Sequence, residues 1–204
     1  MRNGPVKIGM IGCDGYAYQL ISRIQTTPLH GTATAVASLD PDSEGADYCR
    51  AHGIKVFQTV EKMLADGDFE AVMNPTPIHL HAEIAKQCLE AGFPVWLEKP
   101  PVVTLQDLDN LHTASLIAGL PVAVCFNSLF SFRAQQLKAE LVAGKYGQIK
   151  RIKSLGAWMR TDAYFGRNEW AGALKRDGKW ILDGDINNPL AHVVCNGLFF
   201  AGED

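Results

Sequence analysis

Short apolar runs alternate along this chain with stretches whose apolar residues recur every three to four positions. Val6-Lys7-Ile8-Gly9-Met10-Ile11 runs into Gly12, and Tyr18, Ile21 and Ile24 then carry a helical spacing. Further runs follow at Ala33 to Leu39, Lys55-Val56-Phe57, Ala71-Val72-Met73, Pro94-Val95-Trp96-Leu97 and Val122-Ala123-Val124. Between them, Ala46, Tyr48 and Ala51 space one helix, and Val60, Met63 and Leu64 space another that closes at Asp66-Gly67-Asp68. A helix from about His81 to Ala91 stops at Gly92, a residue suited to a helix C-terminus. Alternating strands and helices predict an α/β fold, a doubly wound parallel Rossmann-type sheet over residues 1-123. Residues 124-204 are predicted to form a partial α+β domain. Its expected parts are a helix near Ala134 to Ala143, a strand over Ile149 to Ser154, the Trp158 to Trp180 segment and a helix bearing His192.

Ligands of such sheets bind beyond the carboxyl ends of the strands. The first strand-helix turn is therefore the candidate phosphate cradle, Gly12-Cys13-Asp14-Gly15-Tyr16. A dinucleotide cradle uses Gly-x-Gly-x-x-Gly: one glycine for the turn, one for close approach of the pyrophosphate, one for helix packing. Here those positions hold Gly12, Asp14 and Ala17. Gly12 and Ala17 suit the pattern, whereas Asp14 brings a negative charge toward an anionic ligand. Asp40 ends the second strand. Its carboxylate could accept from ribose hydroxyls and repel a 2′-phosphate, favouring NAD over NADP; as Asp40-Pro41 it could equally be a turn opener. Lys99 follows a buried strand and precedes Pro100 and Pro101, which stop it. A lysine there either reaches water along its stem or stands where a charge is useful.

Several segments together resemble the Gfo/Idh/MocA oxidoreductases. They are Lys7 to Cys13, Ala71-Val72, Pro75-Thr76-Pro77 through His81 to Ala85, Glu90-Ala91-Gly92 through Glu98-Lys99-Pro100, Phe126-Asn127, and Lys145-Tyr146-Gly147-Gln148-Ile149. The resemblance implies an NAD(P)-dependent enzyme that moves a hydride to or from a sugar, cyclitol or related polyol. It implies that Lys99 touches nicotinamide ribose and substrate hydroxyl, with Glu98 beside it. It sets the Thr76-Pro77 turn along the cofactor, with Asn74 close by; His81 falls at a helix start beside that turn, where it could approach the cofactor or simply mark a surface helix start. It matches His192 to the acid-base histidine of a later Asp-x-x-x-His helix, which puts Asn188 at the aspartate position. Asp183 or Asp185 would then supply the missing carboxylate. Asn188 is also expected to cap the helix opened by Pro189.

Composition narrows the picture further. The chain has 204 residues, a formal net charge of −3 and 47% hydrophobic residues, enough for a sizeable core. Its five cysteines are scattered and odd in number, as expected of reduced thiols in a cytoplasmic protein. Met1 to Pro5 enters the first strand without an apolar signal segment, and no apolar run is long enough to span a membrane. No basic patch with interleaved aromatics points to nucleic acid, and no histidine, cysteine and carboxylate set has metal-site spacing. His30, His52 and His112 carry no usable pattern, and His79 suits a surface helix start as well as a site. The second domain is short for the resembled family. That keeps two other readings open: a catalytically impaired dinucleotide- or sugar-binding module, or an interaction protein pairing through an exposed sheet. Homo-oligomerisation through the C-terminal sheet is expected on the same ground.

Overall fold

The structure is a computed structural model that describes residues 4–27 and 31–202. His30 and Met1 to Asn3 of the expected lead-in lie outside the described residues. The chain divides into two compact units, Met1–Val124 and Cys125–Asp204.

In the first unit β1 (Val6–Ile11), β2 (Gly31–Ala37), β3 (Lys55–Phe57), β4 (Ala71–Asn74), β5 (Val95–Leu97) and β6 (Val122–Val124) form one sheet in the order β3-β2-β1-β4-β5-β6. Every pairing is parallel. The connecting helices are α1 (Gly15–Thr26), α2 (Glu44–Ala51), α3 (Val60–Asp66), α4 (His81–Glu90) and α5 (Leu105–Ala118).

Strand side chains alternate between two faces, and the core divides accordingly. Met10 and Val36 pack with Ala17, Ile21, Ala46 and Cys49 of α1 and α2. Their neighbours Ile11, Ala35 and Ala37 pack with Met63, Ala85, Leu89 and Leu111 of α3, α4 and α5. The sheet is thus covered on both faces, which is what the continuous apolar runs required.

The helix starts explain their own positions. Ser43, Thr59 and Thr104 each accept a hydrogen bond from a first-turn amide, at Ala46, Lys62 and Asp107 respectively. Gly119 ends α5 at φ +64°, a conformation that favours glycine. The strand order reverses between β1 and β4. That reversal opens a crevice at the carboxyl ends of these two strands, the usual ligand position in an open α/β sheet.

The second unit holds α6 (Phe132–Val142), the short α7 (Asp162–Phe165) and α8 (Ala191–Ala201). Its strands among the described residues are β7 (Lys175–Arg176) and β8 (Lys179–Trp180), an antiparallel pair. The expected strand over Ile149 to Ser154 does not form. A strand needs a neighbour to take its amides and carbonyls, and the described segments of this unit fold instead into helices, turns and the β7–β8 pair. The C-terminal sheet expected to carry self-association is accordingly reduced to that pair. Asn188 does not cap a helix either. Residues 185–190 form turns, α8 begins at Ala191, and Leu190 occupies the cap position.

Candidate functional site

The crevice at the β1–β4 switch is built by three short segments. The first is the turn after β1. Gly12 adopts φ +87° and donates to the carbonyl of Ala37, holding the turn against β2. Gly15, at φ +57°, opens α1. Among the capped helices named above α1 stands apart: Asp14 occupies its cap position without a side-chain cap bond, and its first turn carries no acidic residue. The start of α1 presents the positive end of the helix dipole, which favours an anion. The Asp14 carboxylate is engaged elsewhere. Its Oδ1 accepts from the Gly45 amide at 3.2 Å, across to the first turn of α2. The charge expected to oppose a pyrophosphate is therefore partly taken up by a backbone donor.

Gly45 went unnoticed in the sequence and is required here. A Cβ on it would stand 2.0 Å from the Cys13 carbonyl oxygen and 2.6 Å from Asp14 Oδ1. A glycine in the first turn of a helix was the available signal, since glycine weakens helices and needs a reason to be there. Cys13 itself is buried, and burial raises its thiol above the ordinary value. Only its backbone can face a ligand. Asp40 is exposed beyond the end of β2, where its Oδ1 accepts from the Asp42 amide at 3.1 Å. The turn role and an outward carboxylate coexist at this residue.

The second segment follows β4. Asn74 was expected near the cofactor, but its side chain is buried and committed. Its Oδ1 accepts from the Thr76 amide at 3.3 Å and hydroxyl at 2.7 Å, and its Nδ2 donates to the His81 carbonyl at 3.3 Å. His81, also expected to approach the cofactor, is only 1% exposed. Its Nδ1 lies 2.8 Å from the Pro100 carbonyl oxygen and its Nε2 lies 2.7 Å from the Thr76 carbonyl oxygen. Both side chains are buried and bonded within the turn. Both shape the turn from beneath, which leaves Thr76 and Pro77, both partly exposed, as its outward face.

The third segment follows β5. Glu98 is buried, and its amide donates to the Asn74 carbonyl at 3.2 Å, joining the ends of β4 and β5. Its Oε2 accepts from the Lys99 amide at 3.0 Å, and its carboxylate is hydrogen bonded to the Tyr16 side chain at the start of α1. Burial raises the Glu98 carboxyl above the ordinary glutamate value, although these bonds and the Lys99 charge pull the other way. Lys99 is partly exposed, and the Lys99–Pro100 peptide is cis. Gly12, Gly15, Tyr16, Thr76, Pro77, Glu98 and Lys99 thus belong to the three strand-end segments that frame the crevice.

The remaining candidates lie in the second unit. Asp183 and Asn188 are buried together, with Asn188 Nδ2 donating to Asp183 Oδ1 at 2.6 Å. Asp183 Oδ2 also accepts from the Gly172 amide at 2.7 Å. His192 lies in the first turn of α8, and its ring meets that of Phe126 edge-on, with centroids 5.7 Å apart. The amide at position 188 thus bonds directly to a buried carboxylate, that of Asp183.

A parallel sheet with a switch point, a glycine turn and an uncapped helix start define a dinucleotide-binding Rossmann domain. Comparison with known proteins narrows this class. Residues 6–126 match the family model GFO_IDH_MocA, described as "Oxidoreductase family, NAD-binding Rossmann fold", and the chain belongs to that family.

Among curated relatives, the chain is 28% identical over 152 residues to a 1-carboxy-3-chloro-3,4-dihydroxycyclohexa-1,5-diene dehydrogenase of Comamonas testosteroni, covering 74% of this chain and 38% of that protein. It is 26% identical over 151 residues to inositol 2-dehydrogenase 2 of Saccharopolyspora erythraea, covering 74% of this chain and 44% of that one. The chain thus spans less than half the length of these relatives. Among solved structures, the WlbA dehydrogenase of Bordetella pertussis in complex with NADH and UDP-GlcNAcA shares the fold. The TM-score is 0.84 at 23% identity, covering 99% of this chain and 59% of that one. Scyllo-inositol dehydrogenase of Lactobacillus casei, with bound NAD(H) and scyllo-inositol, matches with a TM-score of 0.63 at 23% identity, covering 71% and 43%.

Proposed function

We propose that this chain carries the cofactor-binding part of an NAD-dependent oxidoreductase acting on a hydroxyl-bearing carbon of a sugar, cyclitol or related polyol. The observation that carries this reading is the convergence of the Gly12–Tyr16 turn, the Thr76-Pro77 turn and Lys99 at the switch point of a parallel sheet. The inositol dehydrogenase and the sugar-complexed neighbour support the substrate class.

The chain's own groups fit the dinucleotide. The amides at the start of α1 would hold the pyrophosphate, and the exposed carboxylate of Asp40 would take the ribose hydroxyls and disfavour a 2′-phosphate. The bound nicotinamide would supply hydride acceptance or donation. Lys99 would orient and polarise the substrate oxygen through its ammonium. His192 would hold or pass the hydroxyl proton near neutral pH. Asn188 would orient the substrate, with Asp183 fixing its amide.

The five cysteines that form no disulfide suit a cytoplasmic setting. Exposed Leu155, Met159 and Leu198 of the second unit are candidates for covering contacts in a homo-oligomer. The direct test is NADH production by the full-length protein across a panel of polyols and sugars. Lys99→Ala is expected to lower turnover by about 10²–10⁴-fold, the scale of a lost acid-base or polarising group, while leaving the folded state intact. Full activity in Lys99→Ala would remove the proposed role.

A further inference from the structure

His81 stands between the two turns that follow β4 and β5. Its two ring nitrogens face two backbone carbonyl oxygens, Pro100 at 2.8 Å and Thr76 at 2.7 Å, and the ring is buried. A neutral imidazole owns one N–H and one lone pair. It can donate to one of these carbonyls, and its lone pair then faces the other oxygen. An imidazolium donates to both. Burial holds the ring below the ordinary histidine value; the two carbonyls pull it up, and the charges of His79 and Lys99 push it down again. At neutral pH the ring is therefore neutral, with one proton for two acceptors. The other contacts joining these turns are amide bonds that do not titrate, between Asn74 and Thr76, from Asn74 to His81, and from Glu98 to the Asn74 carbonyl, while the Glu98 carboxyl, which accepts from the Lys99 amide, is a second titrating group beside Lys99 that the His81 variants leave in place.

We propose that His81 is a positioning residue that ties the Thr76-Pro77 turn to the Lys99-Pro100 turn, tethering one turn when neutral and both when protonated, and so sets where Lys99 stands. The functional consequence rests on the reading of Lys99 as a site residue; the tether itself does not. Mild acidification is expected to draw the two turns together and change the surroundings of the Lys99 ammonium, with no ligand present.

The test is NMR of the isotope-labelled 204-residue chain from about pH 8 to about pH 5. It reads the His81 ring nitrogens and the Lys99 side chain, with an NADH titration at each pH. The comparison is among the wild type, His81→Gln, His81→Asn and His79→Gln. In the wild type, both ring nitrogens should carry slowly exchanging protons at the acid end. The Lys99 signal should move with the same midpoint, and NADH affinity should change by up to about ten-fold, the equivalent of one hydrogen bond gained. His79→Gln should keep this step. The His81 variants should lose it, and the Gln amide, which retains donors, should preserve the fold.

A Lys99 signal that titrates identically in the wild type and the His81 variants would overturn the proposal. So would a wild-type ring that keeps one bare nitrogen to the acid limit of the folded state, a readout that needs no variant to fold. Loss of NADH binding at every pH, with the linked His81 and Lys99 shifts intact, would remove the cofactor reading and leave the tether supported.

Discussion

In the first unit the parallel strands β1 to β6 satisfy one another's backbone groups, and α1 to α5 cover both faces with two separate apolar clusters. In the second unit the strands amount to two residues each, and its exposed large apolar residues include Leu155 at 78% and Met159 at 87%. What holds its interior is largely polar. Lys138 Nζ donates to the Phe199 carbonyl at 2.9 Å and the Gly202 carbonyl at 2.6 Å, Asn188 donates to Asp183, and Ser128 donates to Asn196 at 2.8 Å. The contrast separates two sources of order. The first unit is stabilised by non-directional burial on both sides of an open parallel hydrogen-bond ladder. The second relies on a few directional bonds among its buried polar groups, Lys138, Asp183 and Asn188.

The contrast breaks most visibly under core truncation. Leu97→Ala removes a fully buried side chain of β5 and is expected to cost about 2–5 kcal/mol, the range for cavity-forming substitutions. Met159→Ser, on the exposed surface of the second unit, should stay within about 0.5 kcal/mol. Chemical denaturation of the two variants measures both. Equal effects would mean that the second unit packs as tightly as the first.

The next effect is local. Asn188→Ala removes the partner of Asp183 Oδ1 and leaves a buried carboxylate short of a donor. It should weaken the second unit by about 1–3 kcal/mol, while hydrogen exchange in the β-sheet of the first unit stays as in the wild type. Protection lost evenly across both units would contradict the division of labour between them.

The smallest effect is pH-dependent. Burial raises the Glu98 carboxyl above its unfolded value. The folded state therefore holds this proton more tightly than the unfolded chain. Stability linked to Glu98 is greatest below the ordinary carboxylate value and declines as pH rises from there through the raised value. Glu98→Gln keeps an oxygen to accept from the Lys99 amide but cannot ionise. The melting temperature of Glu98→Gln relative to the wild type should rise between about pH 4 and about pH 7. A constant difference would mean that Glu98 ionises without penalty.

These differences mirror what the sequence could express. Continuous apolar runs such as Ile8 to Ile11 and Ala33 to Ala37 carry the first unit openly, because the burial of each strand on both faces is written in its own residues. Ile149 to Ser154 has comparable strand-forming residues, yet its pairing depends on a distant neighbour that no local pattern encodes. The same limit applies at the site. The family resemblance set Asn74, and the helix start set His81, beside the Thr76-Pro77 turn, and both side chains bond to it. Neither could reveal that both side chains point inward and are bonded within the turn. Gly45 was hidden for a related reason: the need for glycine arises from a loop more than thirty residues away in sequence, at Cys13 and Asp14. At position 188 the lost carboxylate was visible. Two nearby aspartates, Asp183 and Asp185, were equally visible, and only the fold shows that Asp183 is the one bonded to Asn188.

The measurement closest to the central claim is an NADH titration of the chain followed by backbone NMR. The account predicts saturable shifts at Gly12 to Tyr16, Asp40, Thr76 and Lys99, the segments that frame the β1–β4 crevice. Binding without shifts at these residues, or shifts centred on the outer faces of α4 and α5, would contradict it.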